Sequence, residues 1–144
     1  MATAIASAVI AADVVQVWGV VRDFGKLADW HPGIATSVIE GGQTGDTVGC
    51  VRALTLTDGS VVRERLLDLD DRRCSFTYNF VQSEFPVRRY ESTLTLTAVT
   101  DTGHTFAQWT ADFDADGDVE KKLTATFGEA VFGTGLRALR DRFA

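Results

Sequence analysis

Cysteine and histidine each occur only twice in these 144 residues, and the scarcity closes off several chemistries. Cys50 and Cys74 lack a CxxC spacing, so neither a disulfide framework nor a zinc site is indicated, and both read as small core residues. His31 and His104 are far apart with no ligand spacing, which argues against a metal site. Basic residues are also short: 14 Lys and Arg face 20 Asp and Glu, a net charge of −6. No run of positive charge could follow a phosphate backbone, so no nucleic-acid partner is expected. The densest basic spots, Arg88-Arg89 and Arg137 to Arg142, are interleaved with acids or apolar residues and read as solvated faces. No apolar run is long enough to span a membrane. The N-terminal stretch MATAIASAVIAADVV has no Lys or Arg before Arg22 and so lacks the charged start of a signal peptide, which makes a cytoplasmic location the expectation. The Gly41-Gly42 and Gly45 loop lacks the Lys-Ser/Thr of a phosphate-binding loop. No Ser-His-Asp spacing appears either.

What is present is ordinary in amount, with 45% hydrophobic and 24% charged residues. Without linkers, repeats or charge blocks, residues 1–144 are expected to form one domain that buries about two-thirds of its unfolded surface. Thr3 to Ile10 reads as a strand. Asp13 is a helix N-cap with Gln16 three residues on, and Val14, Val17, Trp18 and Val21 share one helical face. Gly25 ends that helix, a short second one covers about Lys26 to Trp30, and Pro32-Gly33 turns the chain. Strands are predicted near 34–40, 47–56, 61–69, 73–80, 88–98 and 104–114. Asp118 then caps a long helix over 118–142, about 37 Å at ~1.5 Å per residue, with a stripe of Val119, Leu123, Phe127, Ala130, Val131 and Ala138. Gly133 and Gly135 weaken its continuity by roughly 1 kcal/mol each relative to Ala. A curved antiparallel sheet wrapped around this helix is the economical packing, and it often leaves a cavity between helix and sheet.

The most informative stretch is CVRALTLTDGSVVRERLLDLD, Cys50 to Asp70. Asp58-Gly59 signals a hairpin turn. A two-residue loop would mix Arg52, Arg63 and Arg65 into the apolar side. A three-residue loop, Asp58 to Ser60, pairs Thr57 with Val61 and Leu54 with Glu64 and gives the cleaner face: Leu54, Leu56, Val62 and Leu66, with Arg52 and Glu64 among them. Two ionisable groups on an inner face are costly unless they pair or meet a wet cavity. The pair is therefore either a buried ion pair that satisfies itself or the working pair of a ligand cavity.

Val17-Trp18 with Asp23-Phe24, Leu27, Trp30-His31-Pro32-Gly33, Gly49-Cys50-Val51-Arg52, Glu64-Arg65-Leu66-Leu67 with Asp70-Asp71, and Tyr90-Glu91-Ser92-Thr93-Leu94 follow in this order. In that arrangement the chain resembles the START-like, birch-pollen-allergen-like (SRPBCC) superfamily over nearly its whole length. Within it, the chain is similar to the polyketide cyclase/dehydrase-like branch that includes plant lachrymatory-factor synthase. The resemblance implies an α+β helix-grip fold: a curved seven-stranded antiparallel sheet around a long C-terminal helix, with two short helices after strand one. It also implies that Arg52 and Glu64 are the catalytic pair, and that Tyr78 and Tyr90, twelve residues apart, are pocket tyrosines. His31 stands where the plant enzyme has an aromatic before proline. The superfamily contains cyclases, dehydratases, lyases, receptors and carriers, so the fold alone does not select an activity.

By residue, Arg52 would hold a polar oxygen and stabilise charge that develops there. Glu64 would be the general acid or base, its pKa raised by burial and lowered by the guanidinium. Tyr90 would donate to a substrate oxygen or bond to Glu64, and Tyr78 is either a pocket residue or plain core. Trp30, His31, Trp109 and Phe127 are candidate substrate contacts, with Phe76 a further candidate wall; with no second histidine or acid placed to orient it, His31 reads first as a packed or exposed loop residue. The leading expectation is a cofactor-independent enzyme that acts by proton transfer on a hydrophobic or polyketide-like small molecule, by cyclisation, dehydration or isomerisation. A non-catalytic binder of a hydrophobic molecule is the alternative, and an interaction module with a closed core is a third. Self-association as a homodimer is left open.

Overall fold

A computed structural model describes residues 1–144. The strands are β1 (Ala2–Ile10), β2 (Ile34–Ile39), β3 (Val51–Leu56), β4 (Val61–Asp70), β5 (Ser75–Gln82), β6 (Arg89–Val99) and β7 (His104–Asp114). They form one antiparallel sheet in the order β1-β7-β6-β5-β4-β3-β2, so the first two strands occupy opposite edges. Helix α1 (Val14–Val21) and a 3₁₀ segment (Phe24–Asp29) connect those edges. A long C-terminal helix, α2 (Gly117–Ala125), a π-helical segment (Thr126–Gly133) and α3 (Thr134–Arg142), completes the helix-grip arrangement. None of the helices is long and apolar enough to cross a membrane.

The inner face of the sheet follows from strand alternation. Tyr90, Ser92, Leu94 and Leu96 of β6 and Ala107, Trp109, Ala111 and Phe113 of β7 are buried. The intervening residues face outward, where Thr77 and Thr93 hydroxyls bond across β5 and β6 at 2.9 Å. At α1, the Asp13 carboxylate accepts the Gln16 backbone N–H at 2.9 Å, and Val17, Trp18 and Val21 are buried. The Trp18 indole N–H donates to Asp71 at 2.8 Å, tying this helix to the β4–β5 turn.

The structure corrects three local expectations. In the central hairpin, the Leu56 N–H donates to Ser60 O, and the three-residue loop is Thr57 to Gly59 rather than Asp58 to Ser60. Arg52 therefore pairs directly with Glu64, and Leu54 with Val62 instead of Glu64. The pairing moves by two residues, and because side chains alternate with a period of two, the inward set is unchanged. Gly59, at φ +89°, takes the left-handed position that closes a three-residue hairpin, while the Asp58 carboxylate accepts the Ser60 N–H. The second correction is the cap of the last helix: Asp116 stands at the N-cap, its carboxylate held by Arg88 at 2.6 Å, and Asp118 lies in the first turn.

The third correction concerns the helical stripe. Leu123 and Phe127 are buried as expected, but beyond them the buried residues are Phe132, Leu136 and Leu139, with Ala130 exposed. The π-helical segment inserts extra residues per turn and rotates the apolar face. Gly135 does not interrupt the helix. A Cβ there would lie 2.6 Å from His31 Cδ2 and 2.9 Å from Trp109 Cζ3, so glycine is what lets α3 approach the site.

Two substitutions check these assignments by urea unfolding. Gly59→Ala should cost about 1–2 kcal/mol, because a side chain is placed in the left-handed region, while leaving the inner face intact. Gly135→Ala should cost about 1–3 kcal/mol by overpacking against His31 and Trp109, although alanine has the better helix propensity.

Candidate functional site

Arg52 of β3 and Glu64 of β4 face each other across the hairpin and retain 1% and 5% of their exposure. Arg52 Nε donates to Glu64 Oε1 at 2.8 Å, and Nη1 donates to the Phe24 carbonyl at 3.0 Å. Nη2 lies 2.8 Å from the same carboxylate oxygen but outside hydrogen-bond geometry, so it keeps a buried N–H without an acceptor. The guanidinium carbon lies 3.8 Å from the Phe24 ring centroid and 4.7 Å from that of Tyr78, two rings that adjoin each other with centroids 5.7 Å apart. Glu64 Oε2 accepts no hydrogen bond from the protein. Burial pushes the Glu64 carboxyl above the usual carboxylate range, and the Arg52 charge and hydrogen bond pull against that rise.

The pair opens onto a cavity of about 100 Å³ between the sheet and the C-terminal helix. Leu27, Leu54, Leu56, Val62, Phe80 and Phe85 supply most of its apolar wall, and His31, Arg52, Glu64, Tyr78 and Tyr90 its polar side. Trp109 and Phe127 also line it, the latter making edge contacts with Phe85 and Tyr90 at centroid distances of 5.1 and 5.0 Å. The Trp109 indole N–H is shared between Tyr78 OH at 3.0 Å and Ser92 Oγ at 3.2 Å. Ser92 in turn donates its hydroxyl to the Thr110 carbonyl at 2.9 Å. Burial, reinforced by the Glu64 carboxylate, pushes the Tyr78 phenol up to about 12, and burial raises Tyr90 well above its ordinary value.

His31 is buried and held at both ring nitrogens. Nδ1 accepts the Gly33 backbone N–H at 3.0 Å, which leaves the proton on Nε2 to donate to the Val131 carbonyl at 2.7 Å. Val131 belongs to the π-helical segment, so the histidine links the loop before β2 to the helix that roofs the cavity. Burial holds the His31 pKa below its ordinary value; the Val131 bond opposes this and the nearby Arg52 charge adds to it.

Of the residues named from the sequence, Arg52, Glu64, Tyr78, Tyr90, His31, Trp109 and Phe127 converge on the cavity. Trp30 does not line it: its ring stands behind, 5.7 Å from Trp109 and 6.1 Å from His31 by centroid. Phe76 likewise packs away from it, against Trp18 and Phe24. The sequence reading missed Leu27, Phe80, Phe85 and the Ser92–Trp109 bond as site features. Phe80 continues the Phe76-Tyr78 alternation and was open to detection. Phe85 lies in an irregular loop where no periodicity points inward. No group of three or more His, Cys, Asp or Glu side chains is arranged to hold a metal ion.

Residues 1–144 match the model of a family described as polyketide cyclase/dehydrase and lipid transport. Among solved structures, the chain is similar to the protein XoxI from Bacillus cereus, with 30% identity, a TM-score of 0.88, and coverage of 99% of this chain and 96% of that one. A protein from Thermobifida fusca has 30% identity and a TM-score of 0.89, over 99% and 93% of the two chains. Ginseng major latex-like protein 151 from Panax ginseng shares the fold alone, at 16% identity and a TM-score of 0.78 over 99% and 97%. The chain belongs to the polyketide cyclase/dehydrase and lipid-transport family, with an SRPBCC-type fold.

The state of His31 has a stability consequence. Its pKa is depressed on folding, so the folded protein binds fewer protons than the unfolded chain. The resulting stability is fully present above the unfolded value, about 6.5, and is lost as pH falls below it, with a slope of up to about 1.4 kcal/mol per pH unit. The raised Glu64 pKa acts with the opposite sign, favouring the folded state as pH falls toward the carboxylate range. Urea unfolding of wild type and His31→Gln between pH 7.5 and 5.5 separates the two. The variant should lose the acid-side decline. Parallel pH profiles would show that His31 is not buried neutral.

Proposed function

We propose that this protein is a cofactor-independent enzyme that moves a proton on a hydrophobic or polyketide-like small molecule held in the cavity. Family membership and fold support binding of a hydrophobic ligand. The observation that carries the catalytic reading is Glu64: a buried carboxyl with raised pKa, one oxygen fixed by Arg52 and the other free at an apolar cavity. A raised pKa brings a carboxyl closer to the range in which it can both give and take a proton. Arg52, anchored on Phe24 O and Glu64, would stabilise an oxygen on which negative charge develops. Cyclisation, dehydration and isomerisation all fit this division of labour.

A second reading, a non-catalytic carrier with Arg52 and Glu64 holding the polar end of its ligand, is favoured by one fact. The pair already neutralises itself at 2.8 Å and could serve as a passive anchor. Turnover, or exchange of solvent deuterium into a panel of ketones and short polyketide-like compounds, distinguishes the two. Glu64→Gln should lower an acid–base rate by about 10²–10⁴-fold. If the protein only carries, wild type should show no turnover or exchange, and Glu64→Gln should weaken ligand binding instead. Stability provides a control. Arg52→Met strands the carboxylate and should cost about 3–5 kcal/mol unless Glu64 takes up a proton, whereas Arg52→Met with Glu64→Leu should be neutral or stabilising by about 1–4 kcal/mol. A double variant that keeps full activity would remove this pair from the mechanism.

A further inference from the structure

Every polar hydrogen on the cavity side can be followed to an acceptor or to none. Ser92 commits its hydroxyl hydrogen to Thr110 O, so it has none to give the tyrosines. Trp109 places its single N–H on Tyr78 OH and Ser92 Oγ. That occupies a lone pair of the Tyr78 oxygen and turns the phenolic hydrogen away from the indole. The Tyr78 and Tyr90 hydroxyls and Ser92 lie close enough to make weak hydrogen bonds with one another, but none of these contacts is a short, well-aligned bond, and no carbonyl or carboxylate accepts from either phenol. Arg52 Nη2 also lacks an acceptor although the side chain is 1% exposed. Arg52 Nη2, close to Glu64 Oε1 but without a formed hydrogen bond, and the weakly bonded Tyr78–Tyr90 hydroxyl pair therefore line the cavity as donors with no strong protein acceptor, beside Glu64 Oε2. Leaving buried donors unmade is costly, so a ligand that accepts hydrogen bonds is favoured over one that donates them.

Charge and size narrow the class further. Arg52 and Glu64 already balance, so an added carboxylate would bring an uncompensated charge into a buried site. A cavity of about 100 Å³ holds a molecule of only a few heavy atoms, since roughly 150 Å³ accommodates benzene. We propose that the ligand of this site is a short-chain neutral carbonyl compound whose oxygen accepts from Arg52 Nη2 and the tyrosine hydroxyls, with Trp109 as a positioning residue that aims the Tyr78 hydrogen into the cavity. This rests on the cavity being the working site, as in the function proposed above, but not on the chemistry performed there.

The chain contains two tyrosines, both in this cluster, so tyrosine ¹³Cζ NMR reports the site without background. Full-length protein is titrated with 2-pentanone, pentanoate and 2-aminopentane at neutral pH. The ketone should shift both tyrosine signals and bind at least tenfold more tightly than the amine or the carboxylate. In Trp109→Phe, which keeps a ring at that position, ketone affinity should fall at least threefold and the ketone-induced shift of the Tyr78 signal should shrink, because the donor that aims its hydrogen is gone. Tyr90→Phe should weaken the ketone without weakening the amine. Equal or tighter binding of the amine or carboxylate, or ketone binding that moves neither tyrosine, would overturn the assignment. So would a Trp109→Phe protein with unchanged ketone affinity and an unchanged ketone-induced shift of Tyr78. Turnover of larger compounds lost in Glu64→Gln, together with no ketone binding, would refute this ligand class while leaving the proton-transfer reading standing.

Discussion

An arginine and a glutamate enclosed between two strands govern the design of this molecule. Each charge gives up its hydration on folding, and the loss is offset only if the geometry is good. Here Arg52 is held on three sides: by Glu64 across the hairpin, by the Phe24 carbonyl from the 3₁₀ segment, and by aromatic rings. The segment between α1 and β2 is thereby tied to the sheet through a carbonyl, and its placement depends on the guanidinium. An apolar pair of similar volume could fill the same space, so stability gives no reason for keeping the charges. Their burial at the cavity wall, with a carboxylate oxygen that accepts no hydrogen bond from the protein, is the ground for the functional reading proposed above.

Around that pair the site is organised by two polar links between elements distant in the chain. His31 joins the loop before β2 to the Val131 carbonyl, a group that the π-helical segment presents toward the loop. Trp109 of β7 reaches the Tyr78 hydroxyl of β5 and the Ser92 hydroxyl of β6, so three strands share one indole N–H. Both links are buried, where the loss of either partner would leave a polar group unmade. Gly135 permits the first of them, because α3 packs onto His31 and Trp109 too closely for a side chain. Helix approach, histidine tautomer and indole position are therefore mutually dependent.

Within the cavity the polar groups are packed against aromatic walls. Phe80 stacks on Tyr90 at a centroid distance of 3.8 Å, and Phe127 crosses that stack from the helix. Rings locked in this way have little freedom to move, which keeps the tyrosine hydroxyls at the cavity beside one another and Ser92.

Much of this was legible in the amino-acid order. Alternation along β6 and β7 specified their inner faces, Asp13 marked the start of α1, and the family resemblance implied the helix-grip fold and pointed to Arg52, Glu64 and the two tyrosines, all of which line the cavity. The inward set of the hairpin was readable even though its loop was placed one residue late, since a pairing shift of two preserves the faces. What the order of residues left undetermined depends on contacts between distant segments. The π-helical rotation that brings Phe132 and Leu136 inward, the retreat of Trp30 behind His31, the entry of Phe85 from an irregular loop and the sharing of the Trp109 N–H all arise from packing across the sheet. Local periodicity records which face a side chain takes, because that is set by neighbours two to four residues away. It carries no record of which buried donor meets which acceptor, because that distance is closed only when helix and sheet come together.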